Sequence, residues 1–486
     1  MSDYALTGGV RATTRGVQAL IVTSYAALGS ILCGTRLAGL DRSYWHDEIV
    51  TVADYVRAGP REILAGPYIP NNHELFSLFA WATSSLVGES EVALRLWSVI
   101  PFILGVILVA AWLHVRVGPL SGVLFLFYAT VSPLLLDLSR QARGYGLAFL
   151  AMAALIVAAL EADRSGRTRT IVALCAAGLV GTWTLPNFGI AFFATGAVLL
   201  TKPQLRRRVA FGLGASTLAI GTWYAPHVGG LLESSRQEFG VPISTAWVIT
   251  APIDQILMPA LVGFDVRAAK PDFGWLPIIA ALLLLMSASP LLRAQRTSLI
   301  LGSGVVATVA TLWITRTLVL PRFLSFLLVP LLILVASGTA TILARPLTRP
   351  PITRTVVALT TLILLTVAFA SPAARVTRLP REAHKDAADA IRARASPSTP
   401  VFAYMLRPRD LVFYLERPVS VPRTPAVASR VCSRRQAVVL VTQPWALAPA
   451  SVPCVQRPGV RHYRFEQYTR GGEINVWFIP ALGSSP

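Results

Sequence analysis

Apolar residues in this chain come in long stretches, separated by short polar segments in which arginine recurs. A helix that crosses a bilayer needs about 20 apolar residues, since each adds about 1.5 Å across a hydrocarbon core about 30 Å thick. The pattern predicts spans at 17–40, 92–114, 119–136, 144–161, 169–186, 187–201, 208–225, 274–292, 298–315, 319–342 and 354–371. That makes eleven, of which 119–136 and 187–201 are short. The segment His73 to Val87 is apolar on one face and precedes Glu89 and Glu91, which suits a helix lying in the interface. Thr51 to Leu64 reads the same way.

Basic blocks set the orientation. Arg11 and Arg15, Arg116, Arg164 with Arg167 and Arg169, Lys202 with Arg206 to Arg208, Arg293 with Arg296, and Arg345 with Arg349 and Arg354 fall in alternate loops. Placed in the cytoplasm, they put the N-terminus inside and the C-terminus outside a cell (plasma) membrane. The run Val17 to Leu32 has no clear small-residue cleavage site after it, so it reads as an uncleaved anchor.

The fold class is then an α-helical polytopic membrane protein with a small C-terminal extracytoplasmic α/β domain. Residues 1–372 form the membrane domain, with outer loops at 41–91 and 226–273, and residues 373–486 form the tail. In the tail, Arg381 to Ala395 has helix-forming composition, and β-like runs follow at Val401–Met405, Ala437–Thr442 and Ile474–Ile479. The tail reads as a packing cap rather than a second catalytic unit.

Composition agrees with burial in lipid. The mean hydropathy is +0.59, 54% of the 486 residues are apolar and only 14% are charged, too few to cover a soluble protein of this size. A net charge of +20 raises the question of nucleic acid, but the charge sits in short inter-span blocks, which argues against that partner. Four cysteines make no disulfide framework; Cys33 and Cys175 fall in apolar runs, and Cys432 and Cys454 can pair if the tail meets an oxidising compartment.

The chemistry concentrates in the loop after the first span, Asp41-Arg42-Ser43-Tyr44-Trp45-His46-Asp47-Glu48. An acidic pair is most often merely solvated, but here aromatic residues and an adjoining interfacial helix hold it against the membrane. Partial burial raises the basicity of a carboxylate, which suits a general base toward a hydroxyl. Arg140 and Arg143, and Arg316 and Arg322, fall on the same outer side, where arginine near hydrocarbon needs a partner or a task. Salt bridges to Asp137, Asp47 or Glu48 are the bland explanation; a phosphate, held bidentately, is the functional one. A base beside a phosphate cradle is what transfer from a lipid-phosphate sugar requires. Its polyprenyl-phosphate leaving group needs charge stabilisation but no general acid.

These residues, in order, resemble the GT-C glycosyltransferases, and within them the protein O-mannosyltransferase and lipid A aminoarabinose transferase branch. The resemblance spans roughly 17–342. It rests on the acidic pair, Pro70-Asn71-Asn72-His73-Glu74-Leu75, Gly88-Glu89-Ser90-Glu91-Val92-Ala93-Leu94-Arg95-Leu96, Ser139-Arg140-Gln141-Ala142-Arg143-Gly144-Tyr145, and Pro321-Arg322-Phe323. It implies an inverting single displacement that moves a sugar from a polyprenyl-phosphate donor to a hydroxyl-bearing acceptor at the outer face of the bilayer. It also implies Asp47 as base, Glu48 beside it, and Arg140, Arg143 and Arg322 on the donor phosphate. His46, Tyr44, His73, Glu74 and Tyr145 are implied on substrate. The chain departs from many relatives at Glu74, where proline is usual, and at Gln141, where glutamate is usual. Relatives differ in using a divalent cation; beyond Asp47, Glu48 and His46 no ligand set stands out, so no cofactor is required on this reading. Two other readings stay open. One is an oligosaccharide ligase or polymerase working through Asp265, Arg267 and Lys270 of the later outer loop. The other is a transporter, for which mid-membrane polar residues and an inverted repeat are missing signals.

Overall fold

A computed structural model describes residues 15–66, 69, 71–230, 276–315, 321–344, 373–404, 406–421, 432, 436–442, 452–467 and 473–481. The first helix, α1 (Arg15–Leu37), leads into the first loop. There α2 (His46–Thr51) runs on through a π-helical turn, Val52–Val56, and is followed by α3 (Pro60–Ala65) and α4 (Glu74–Val87). The bundle continues with α5 (Glu91–Arg116), α6 (Pro119–Val131), α7 (Pro133–Ser139), α8 (Tyr145–Ser165), α9 (Thr168–Thr184), α10 (Phe188–Leu200) and α11 (Pro203–Tyr224). After residues outside the description come α12 (Leu276–Ser287), α13 (Gln295–Thr315), a 3-10 turn Pro321–Leu327 and α14 (Leu328–Ala344).

Each predicted span up to 319–342 falls on a helical segment, while 354–371, Arg316 and most of the loop 226–273 lie outside the described residues. Length and apolarity alone give fewer spans than eleven among the described residues. Among the described residues, Gln18–Leu37, Glu91–Arg116, Tyr145–Ser165 and Arg322–Ala344 are long and apolar enough to cross a membrane. The pair α6 and α7, bent by 69°, makes a fifth if it is one span. Of the rest, α9, α10 and α12 are short, with 17, 13 and 12 residues, and Arg206-Arg207-Arg208 dilutes the apolar content of α11, while α13 has 21 residues and only one basic residue, Arg296, near its start.

The bend between α6 and α7 follows from Pro133, which has no N–H to offer the carbonyl of Ala129 four residues earlier. Arg36 of α1, fully buried, takes over: its Nη2 donates to Ala129 O and its Nη1 to Thr130 O, both at 2.7 Å. Close approach sets the next contact. A Cβ on Gly146 of α8 would lie 1.9 Å from the Ser98 carbonyl oxygen of α5, so only glycine lets these helices meet. Far along the bundle, Arg116 pairs with Glu161 at 2.7 Å, and Asp163 takes Arg296 at 2.7 Å and Lys202 at 3.5 Å. Loops with the same predicted sidedness are thus tied together.

The tail carries α15 (His384–Arg394), β1 (Val401–Tyr404), α16 (Pro408–Leu415), β2 (Val438–Thr442), β3 (Arg461–Glu466) and β4 (Glu473–Ile479). The four strands among the described residues are ordered β1-β2-β4-β3, with β1 parallel to β2 and the other pairings antiparallel. Cys432 and Cys454 are joined by a disulfide. The sheet does not stand apart: Leu411, Tyr414, Val439 and Ile474 share one apolar core with Tyr44, Ile49, Val52 and Phe76 of the first loop. Burying those faces together fixes the loop that carries Asp47.

Candidate active site

Asp47 is the second residue of α2, whose N-terminus is closed by Trp45 and Glu48: the Trp45 N–H donates to Glu48 Oε2 at 3.0 Å. This turns the two carboxylates apart. Glu48 is 1% exposed, and both its oxygens are filled. Arg95 donates Nε to Oε1 at 2.9 Å and Nη2 to Oε2 at 2.8 Å, and the Ala142 N–H donates to Oε1 at 2.5 Å. Arg95 also gathers the carbonyls of Leu40, Arg42 and Ser43 at 2.8, 2.8 and 3.1 Å. Glu48 thus holds the loop rather than facing a reactant.

The Asp47 carboxylate points into a cationic pocket. Its Oδ2 lies 2.7 Å from Arg322 Nη2 and 4.0 Å from Arg143 Nη1. Arg143 is wholly buried and donates Nη1 to Asn71 Oδ1 at 2.6 Å and to the Asp47 carbonyl at 3.1 Å. Its Nη2 lies 2.9 Å from His73 Nε2, while the Gly144 N–H lies 2.9 Å from His73 Nδ1. Burial, then the charges of Arg143 and Arg322, hold the His73 ring well below its usual pKa, hence neutral. A neutral imidazole has one lone pair, so two donors cannot both be accepted. An anion beside His73 and Arg143 would supply the missing acceptor. Tyr145 closes the floor, its ring 5.0 Å from that of His73 and 5.7 Å below the Arg143 guanidinium.

The structure brings Asp47, Arg143, Arg322, His73 and Tyr145 together and leaves the other sequence candidates elsewhere. Arg140 donates to the carbonyls of Ala38, Gly39 and Val376. It lines a cavity of about 40 Å³ with Arg42, Arg95, Arg381, Glu48 and Asp137, room for ordered water rather than a glycosyl phosphate. Tyr44 packs under Arg95, 5.0 Å from its guanidinium, and edge-on to Phe413 of the tail. His46 turns to the tail, its Nδ1 2.7 Å from Asp410 Oδ1. Asp47, Glu48 and His46 therefore point three ways and do not fit one metal ion.

Glu74 is buried on the far side of α4. It accepts from Trp223 Nε1 and lies 3.6 Å from His227 Nε2. Burial pushes its carboxyl up to about 7 against the opposing Trp223 hydrogen bond. A raised folded pKa means stability that is full below the unfolded value and is lost as pH rises through about 7. Wild type should lose on the order of 3 kcal/mol relative to Glu74→Gln between pH 4.5 and 8, read as the difference between their melting curves. Parallel curves would remove Glu74 as the buried titrating acid.

Some contributors were missed from sequence. Arg381 stacks 3.5 Å over the Trp45 ring and donates to Asp137 Oδ2 at 3.0 Å, and Arg322 lies 5.1 Å from the same ring. Arg95 carried a signal: a lone charge near the start of an apolar span calls for a partner.

No family model and no curated protein matches this sequence. Among solved structures, ArnT from Cupriavidus metallidurans in the apo state superposes with a TM-score of 0.54 at 14% identity, over 95% of this chain and 98% of that one. The oligosaccharyltransferase AglB from Archaeoglobus fulgidus, in complex with an inhibitory peptide and a dolichol-phosphate, gives 0.51 at 9% identity, over 97% of this chain and 75% of that one. At such identities the likeness is one of fold alone: this chain is folded like ArnT and AglB over nearly its whole length.

Proposed function

We propose that the protein is a glycosyltransferase of the outer membrane face, moving a sugar from a polyprenyl-phosphate donor to a hydroxyl acceptor. The observation that carries this is the Asp47 carboxylate held 2.7 Å from Arg322 beside Arg143 and His73. A dolichol-phosphate bound to AglB, a protein of the same architecture, supports the donor class. The N-terminus lies in the cytoplasm and the tail outside on this reading.

The geometry suggests an order of events. Without donor, Arg322 neutralises Asp47. The donor phosphate competes for Arg322 and supplies the acceptor that His73 and Arg143 lack, so donor binding frees Asp47. The acceptor hydroxyl then gives its proton to Asp47 as its oxygen attacks the anomeric carbon from the face opposite the phosphate. The carbon–oxygen bond to phosphate breaks, its electron pair leaves on the phosphate, and Arg322 and Arg143 stabilise the growing charge. The product bond has inverted configuration. Glu48 acts through position only.

Arg322→Ala should raise the KM for donor about 30-fold, equivalent to about 2 kcal/mol for a lost charge-assisted contact. The check is initial rates of purified protein in vesicles across a panel of polyprenyl-phosphate hexoses and pentoses. An unchanged donor KM in Arg322→Ala would remove the phosphate from this pocket.

A further inference from the structure

A second cluster of chemistry-bearing side chains lies where the tail meets the first loop, outside the pocket of Asp47. Glu382, His384 and Asp410 each direct one ligand atom to a common point, all within 4.8 Å of one another. His384 Nε2 lies 3.2 Å from Glu382 Oε2 and 3.6 Å from Asp410 Oδ2. The His384 and Asp410 side chains are each only 2% exposed. One N–H can serve only one of two carboxylates. A tetrahedral ion with bonds of about 2.0–2.2 Å, by contrast, separates its ligand atoms by about 3.3–3.6 Å. The two spacings from His384, 3.2 and 3.6 Å, lie close to that edge.

The surroundings are those of a metal site. The remaining oxygen of Asp410, Oδ1, takes His46 Nδ1 at 2.7 Å, an outer contact that orients the carboxylate. Glu382 Oε2 accepts the backbone N–H of His46 at 3.0 Å. Both carboxylates thus reach back to the residue that precedes Asp47.

We propose that Glu382, His384 and Asp410 bind a divalent first-row transition ion of the zinc class, with His46 as an outer partner, and that the ion clasps the tail onto the catalytic loop. One imidazole with two carboxylates suits zinc, and a fourth position remains for water. The role is structural and holds whether or not the transfer reaction assigned to Asp47 is right.

The test uses the full chain in detergent, stripped with a chelator and reloaded with zinc alone. Expected are about one tightly held zinc per chain by mass spectrometry and a melting temperature several degrees higher with zinc than without. His384→Gln should hold no such zinc and show no shift. His46→Gln, which keeps all three ligands, should bind zinc about 10- to 100-fold more weakly. Should His384→Gln fail to fold, the zinc response of stripped wild type and the His46→Gln affinity decide. A stripped wild type whose melting ignores zinc overturns the proposal, as does equal zinc content in wild type and His384→Gln.

Discussion

Asp47→Asn is expected to cut transfer from a polyprenyl-phosphate sugar by about a hundred- to ten-thousand-fold, the usual worth of a positioned base. The substitution keeps the shape of the side chain and the carbonyl contacts that seat it, since Arg143, Asn71 and Thr51 all bond the Asp47 main-chain oxygen. It removes basicity, and it removes the counter-charge that Arg322 meets at 2.7 Å. The two losses separate kinetically. The turnover number should collapse, whereas the KM for donor should hold or fall, because an unpartnered Arg322 awaits the phosphate. Rates against donor concentration at saturating acceptor give both constants. A variant with wild-type turnover would show that another group takes the proton.

Breaking the Arg95–Glu48 pair is the second large effect. Both side chains are nearly excluded from solvent, and either alone would be a buried charge without compensation. Arg95→Leu or Glu48→Leu should each cost about 3–5 kcal/mol of stability. Arg95 is also the post around which residues 40–43 fold, so its loss releases three loop carbonyls as well. The double variant should be less damaged than the sum of the singles, since it leaves no lone charge. Melting temperatures of the four proteins in one detergent supply the cycle. Additive losses would mean that the two residues act independently.

The bundle was legible in the chain because apolar runs and basic loops are local signals. Ranges from 92–114 to 144–161 fell within a few residues of α5, α6 with α7, and α8. What failed was span length: apolarity continues through the break at Ser132-Pro133, where the backbone turns by 69°. In the tail, β1, β2 and β4 were visible as apolar runs. Arg461–Glu466 was not, because only Tyr463 and Phe465 of its six positions are apolar, and the polar and charged residues between them are exposed along an edge. The segment Pro408–Leu415 did carry a helix signal, proline at the first position followed by an acid, that went unused.

The site divided along the same line. Topology alone put Asp47, Arg143 and Arg322 on one side, and their meeting in one pocket is consistent with it. Glu48 and Arg140 shared that side and that motif, yet hydrogen bonds to partners 40 to more than 200 positions away claim them. No spacing rule reports such pairings. The Tyr44 N–H bond to the Tyr414 hydroxyl, across |i−j| of 370, and the His46–Asp410 contact, across 364, are the extreme cases.

The most direct measurement is a structure of the protein with a polyprenyl phosphate bound. The account predicts phosphate oxygens within about 3 Å of Arg322 and of His73 Nε2, with Asp47 released from Arg322 and open to an acceptor. A phosphate seated elsewhere, with the Asp47–Arg322 pair intact, would contradict it.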